Sequence, residues 1–282
     1  MVGTDYTNAI RLLSNKDDYQ FNIIVAPGLT YANTTTQLDS IVSLAESRGD
    51  CIAVIDLVNY GSTLAGATTK ALSLNTSYGA SYWPWVQMRS ATGRNEWCPA
   101  SVVIPGVYAF TDAAAAPWFA PAGLVRGGIP GVIQTERRLS KSDRDNLYAG
   151  KVNPIATFPG TGISIMGQKT LQSKASALDR VNVRRLLIDL KKFIGDQART
   201  LVFEQNTIST RNKFLAAVNP YLESVVQRQG LYAYRVVMDD TNNTADVVDR
   251  NQLIGQIYIQ PAKTIEFVVL DFVIEPTGVT FG

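Results

Sequence analysis

Phe21-Asn-Ile-Ile-Val-Ala26, a helical repeat from Thr34 to Arg48, and Cys51-Ile-Ala-Val-Ile-Asp-Leu57 form the stretch that decides the fold. The first and last are apolar runs with no polar alternation, so neither leaves a wet face. Between them Leu38, Ile41, Val42 and Ala45 recur at helical spacing, and Gly49 is placed to stop the helix. Strand, helix, strand with doubly buried strands predicts a parallel sheet covered by helices. Working outward, Thr4 to Lys16 reads as a helix through Tyr6, Ile10 and Leu13, and Ser81 to Met88 as a further strand. Residues 1–139 are therefore expected to form an α/β layered domain.

From Pro99 to Pro130 the chain is rich in Ala, Gly and Pro, which predicts a helix from Ser101 to Ala115 and then a loop over Trp118 and Phe119. After Ser140 the pattern changes. Ser140-Lys-Ser-Asp143 suggests a helix cap, and Val152 to Phe158 and Ile163 to Gly167 read as short strands. A long helix from about Leu178 carries Val183, Leu186, Leu187, Leu190, Phe193 and Ile194, a wide apolar stripe. Thr210 to Arg228 repeats the pattern, and Leu231 to Met238, Leu253 to Ile259 and Thr264 to Val273 are extended. Residues 140–282 thus read as an α+β domain, with two helices on an antiparallel sheet.

Composition narrows the chemistry. The 282 residues include no histidine, which excludes Ser-His-Asp and Cys-His catalysis and His-ligated zinc within this chain. The two cysteines, Cys51 and Cys98, form no CxxC pair and are expected as buried, reduced thiols. A net charge of +2 gives no general affinity for nucleic acid or an anionic membrane. No signal peptide or bilayer-spanning run is read in the sequence. Gly160-Thr-Gly162 lacks the remainder of either nucleotide-loop motif and is expected to turn between strands. Asp239-Asp-Thr-Asn-Asn-Thr244 lacks the glycine and terminal glutamate of a calcium loop, so Asx turns explain it better. Asp56 stands where doubly wound enzymes keep functional carboxylates, yet nothing nearby in sequence gives it a reaction. The chain is expected to have no enzymatic activity, metal or cofactor.

Charge is unevenly distributed. From Lys169 to Arg199 eight basic residues, among them Arg180, Arg184, Arg185, Lys191, Lys192 and Arg199, face three acidic ones. From Asp239 to Glu275 seven acidic residues, including Asp240, Asp246, Asp249, Glu266 and Asp271, face two basic ones. Such patches suit head-to-tail association between copies, or they neutralise each other inside one subunit or stay solvated. The run Thr264-Ile-Glu-Phe-Val-Val-Leu-Asp-Phe-Val-Ile274 has strong β-propensity and must be paired; pairing with a second chain would be strand addition.

Several of these motifs, in this order, resemble the C-terminal part of contractile phage tail sheath proteins. They are Asn153 to Thr170, Leu178-Asp-Arg-Val-Asn-Val-Arg-Arg-Leu186, Asp240-Thr-Asn-Asn-Thr244 and Pro261-Ala-Lys-Thr-Ile-Glu-Phe267. Residues 1–139 resemble the preceding sheath domain, most clearly at Trp118-Phe-Ala-Pro-Ala-Gly-Leu124. The resemblance implies a non-enzymatic polymer in the phage virion, assembled in the host cytoplasm. Its subunits would stack as hexameric rings around a tail tube, contract on a baseplate trigger, and meet baseplate and tail terminator proteins. It further implies that terminal arms of neighbouring subunits complete the antiparallel sheet. Thr264, Ile265, Phe267, Val269 and Phe272 would lie in a sheet strand, with Ile274, Val279 and Phe281 in the linking arm. Family members are usually longer, with an N-terminal arm and variable outer domains, whereas this chain opens directly with a helix. A sheath of a related contractile injection system and a non-sheath virion protein are the alternatives.

Overall fold

The computed structural model describes residues 3–267. Its elements, in chain order, begin with α1 (Gly3–Leu13), β1 (Ile23–Thr30), α2 (Thr35–Arg48), β2 (Ile52–Asp56), α3 (Leu64–Leu72) and β3 (Gly79–Trp83). Then come β4 (Val86–Arg89), β5 (Asn95–Cys98), a 3-10 turn (Ala100–Val102), α4 (Ile104–Ala114), α5 (Gly123–Arg126) and β6 (Val132–Thr135). α6 (Lys141–Ala149), β7 (Asn153–Phe158), β8 (Gly162–Ile165), a second 3-10 turn (Ala177–Asp179), α7 (Val181–Arg199) and α8 (Ile208–Gln227) follow. β9 (Leu231–Val237), α9 (Ala245–Asp249) and β10 (Gln256–Pro261) complete the series.

The central sheet runs β1-β2-β3-β7-β8, parallel up to β7, with β8 antiparallel at its edge. Alternation along β2 shows why its sequence is continuously apolar. Ala53 and Ile55 pack with Leu38, Ile41 and Ala45 of α2, while Ile52 and Val54 pack with Ile104, Val107 and Tyr108 of α4. Gly49 closes α2 as expected: its φ of 69° is left-handed, and its N–H reaches Ala45 O at 2.9 Å. Ser140 and Asp143 form the reciprocal cap of α6. Gly160 and Gly162, at φ 80° and 85°, turn the chain between β7 and β8.

Four expectations are corrected here. The boundary at 139–140 cuts through the central sheet, because β7 and β8 lie beyond it and complete that sheet. Ser81 to Met88 is not one strand: Pro84, which has no N–H for a ladder, separates β3 from β4. β4 instead pairs with β5 and β6 in a small antiparallel sheet that the pattern does not reveal. Thr264 to Phe267 is not in a strand. Of the cysteines, Cys51 is buried and Cys98 only half-buried, both free.

The C-terminal helices and hairpin have their own core of Leu186, Leu190, Phe214, Val218, Leu222 and Val225. Trp118, from the expected loop, enters this core. Its indole N–H donates to Arg228 O at 2.9 Å, and Asn182 Nδ2 donates to Trp118 O at 3.1 Å. Among the described residues no helix is long and apolar enough to cross a membrane.

Candidate assembly interface

The basic stretch separates into buried and exposed parts. Arg184 and Arg185 are each only 4% exposed, so of the expected alternatives association between copies does not hold for these two. They point toward the α/β layer because they lie on the buried side of α7 with Val181 and Ile188. Arg185 Nη2 donates to both carboxylate oxygens of Asp112, at 2.7 and 2.5 Å, with its guanidinium 4.5 Å from the Tyr108 ring. Arg184 lies 4.0 Å over the Tyr78 ring and donates to Ser77 Oγ. Buried cations need such partners, and both have them within the subunit. Lys192 and Arg199 remain exposed. Lys191 lies against Tyr78, and Arg199 stands 3.4 Å from Asp17.

The acidic stretch is likewise divided. Asp240 accepts from Arg211 at 2.7 Å, and Asp246 pairs with Arg250. Asp239 turns inward on its own loop, accepting from Thr241 N at 2.9 Å and Thr241 Oγ1 at 2.5 Å; these bonds hold its carboxyl below the usual range. Asp249 is exposed. Glu266 is the point where the two stretches meet: Arg180 Nε and Nη2 donate to its two oxygens at 2.6 and 2.9 Å. Part of the opposite charge is therefore neutralised within the subunit. Asp271, with Val269, Phe272, Ile274, Val279 and Phe281, lies outside the described residues.

The hairpin of β9 and β10 is antiparallel, with Ile257 opposite Val236 and Ile259 opposite Tyr234. These side chains face the α8 core, whereas Tyr232, Arg235 and Tyr258 are exposed. Among the described residues neither strand has a second neighbour. A two-stranded sheet with both edges open is marginal without further strands or a packed helix, and it offers unpaired backbone groups to another chain.

After β10 the chain crosses to the α/β layer, with Ala262 N–H reaching Gly230 O at 3.1 Å. There Gln168 Nε2 donates to Thr264 Oγ1 at 2.5 Å and to Glu266 Oε1 at 3.3 Å. Ile265 and Phe267 are 84% and 75% exposed. With Phe119, Tyr148 and Tyr232 they line an open groove of about 800 Å³. The sequence reading places Gln168 inside the motif from Asn153 to Thr170 but gives it no role; it lies between β8 and the second 3-10 turn.

At the strand end where an enzyme would place a ligand, Asp56 serves the fold. Its oxygens accept from Ser101 N at 3.1 Å and Ser101 Oγ at 2.5 Å, which anchors the 3-10 turn before α4. Burial raises its carboxyl to about 6. Neighbouring Tyr60 packs against Trp97 and Trp85, with ring centres 5.1 and 6.0 Å away.

An α/β body, a helix pair and a hairpin open-edged among the described residues, followed by outward-facing Ile265 and Phe267, form an arrangement suited to association between chains. The chain belongs to the phage tail sheath protein family: the central domain of that family matches residues 2–171 and its C-terminal domain residues 173–275. It is thereby a contractile-tail sheath protein by family, and that family is structural. The tail sheath protein of Vibrio phage KVP40 is 34% identical over 99% of this chain, and that of Enterobacteria phage T4 is 32% identical over 98%. This chain spans 45% of the length of each, so less than half of those relatives. Among solved structures, the contracted PVC sheath complex of an extracellular contractile injection system has a TM-score of 0.79 at 26% identity, covering 94% of this chain and 74% of that one. The contracted helical sheath of the anti-feeding prophage has a TM-score of 0.76 at 22% identity, covering 97% and 76%, and attests the fold. The change of domain at residues 171–173 falls where buried Lys151 donates to Leu171 O at 3.2 Å and Ser173 Oγ at 3.0 Å.

Proposed function

We propose that this chain is the sheath subunit of a contractile phage tail, polymerising as stacked hexameric rings around a tail tube and contracting to drive that tube through the host envelope. Its partners are further copies of itself, the tube protein, and the baseplate and tail terminator proteins. It is assembled in the host cytoplasm and carried in the virion. The observation that carries this reading is the β9/β10 hairpin, whose two edges are open among the described residues, followed by a segment that turns Ile265 and Phe267 outward. Beyond Phe267, residues 268–282 supply the strand that a neighbour's hairpin lacks.

A donated strand with about four to six main-chain bonds, at roughly 1 kcal/mol net each, contributes several kcal/mol. Exposed ion pairs contribute at most about 1 kcal/mol each and weaken with salt. Strands therefore keep subunits joined, while exposed charges such as Lys191, Lys192, Arg199 and Asp249 form contacts that break and reform between two packings. Arg184 and Arg185 have no part in those contacts. Similarity to the injection-system sheath supports a second reading, in which the same lattice belongs to such a system.

Deleting residues 274–282 tests the proposal. The truncated chain should stay folded by circular dichroism and form no tubes in negative-stain micrographs. Normal tubes from it refute strand donation.

A further inference from the structure

Residues 262–267 alternate with a period of two, but in the reverse of the usual sense. Thr264 and Glu266 turn toward the body of the subunit, while Ile265 and Phe267 turn away from it. An extended segment lying on a protein ordinarily buries its apolar side chains. Here the body supplies donors where an apolar side chain would otherwise sit. The Gln168 amide, 3% exposed, donates to Thr264 and Glu266, and Arg180 takes Glu266 by two nitrogens.

The Arg180 guanidinium is also fixed from its other side. Its Nη1 stands 2.9 Å from Asp179 Oδ1, and Arg180 itself is the residue that opens α7. Beside it, Lys169 Nζ lies 4.4 Å from the Tyr148 ring and donates to Tyr148 O at 2.8 Å. Charge-assisted, two-pronged contacts of this kind fix direction as well as position.

We propose that Gln168 and Arg180 act as a clasp on the root of the C-terminal segment, positioning it so that Ile265 and Phe267 leave the subunit facing a second copy of this chain. The inference rests on the sheath-subunit reading for its partner. A second copy is the occupant because one chain carries both complements: an apolar segment that faces outward and a hairpin whose edges lack strands among the described residues. The clasp accounts for Arg180 and Glu266 as internal positioning residues and not as exposed switching charges. By setting where the arm departs, it sets which neighbour the arm can reach.

The test uses the full chain with Glu266→Ala, Arg180→Glu and the exchanged pair Arg180→Glu/Glu266→Arg. Circular dichroism and thermal midpoints report the fold, amide exchange reports residues 262–267, and electron microscopy reports tubes. Glu266→Ala should lower the midpoint by only a few degrees, exchange about tenfold faster at Ala262 and Lys263, whose N–H groups reach Gly230 O and Tyr232 Oη, and form few tubes. The exchanged pair restores the opposite-charge contact but not the acceptor for Gln168 Nε2, so it should recover protection and tubes in part, which a loss of general stability would not do. Unchanged protection and normal tubes in a folded Glu266→Ala variant overturn the clasp. So does an exchanged pair that folds but recovers neither property. A wild-type chain that never forms tubes refutes the sheath reading instead, and amide exchange then decides the clasp on its own.

Discussion

Replacing Arg185 by alanine should destabilise the subunit itself, whereas replacing Lys192 by alanine should not. Arg185 is almost wholly buried, donates twice to Asp112, and covers the Tyr108 ring at 4.5 Å. Removing one partner of a fully buried ion pair costs about 3–5 kcal/mol. The Asp112 side chain is 26% exposed, so water relieves part of its loss, and about 2–3 kcal/mol is expected. For a chain of this size each kcal/mol lowers the melting temperature by about 2 °C, which predicts a fall of about 4–6 °C. Lys192 is exposed, and its change should stay within about 1 °C. Thermal melts followed by circular dichroism on the unassembled chain measure both. If Arg185→Ala melts with the wild type, the buried pair is not an internal support and the division of α7 into buried and free charges is wrong.

Two other outcomes follow from the same geometry. Trp118→Ala should cost about 4 kcal/mol by urea unfolding, since it empties part of the C-terminal core and removes the bond to Arg228 O; Trp118→Phe should cost roughly half as much. Asp56 behaves in the opposite sense to most carboxylates. Its folded value of about 6 lies above the ordinary 3.8, so the folded state holds the proton more tightly. Its favourable contribution is complete below the ordinary value and is lost as pH rises through about 6, a change of about 3 kcal/mol. Asp56→Asn should remove that share of the pH dependence. Urea midpoints that change with pH identically in both proteins would contradict it.

Much of the fold is legible because its signals are local. The doubly apolar β2, the stripe and glycine stop of α2, the reciprocal cap at Ser140 and the glycine turn at 160–162 each need only a few adjacent residues. What escapes the sequence depends on distant partners. β7 and β8 join the first sheet through the pairing of Tyr82 with Asn153, across a separation that no local pattern encodes. β4, β5 and β6 are four residues each, too short for alternation to stand out. Arg184 and Arg185 read as surface charge because their partners, Ser77 and Asp112, lie far away in the chain. Glu266 was singled out for its charge, but its function as an anchor depends on Gln168 and Arg180, nearly one hundred residues earlier.

The claim on which the account rests is that each subunit finishes a neighbour's sheet. A cryo-EM map of tubes grown from this chain, traced through residues 268–282, decides it. The segment should leave its own subunit beyond Phe267 and hydrogen-bond along an edge of the β9/β10 hairpin of an adjacent copy. A segment traced back onto its own subunit, with both edges of every hairpin free of other chains, would contradict it.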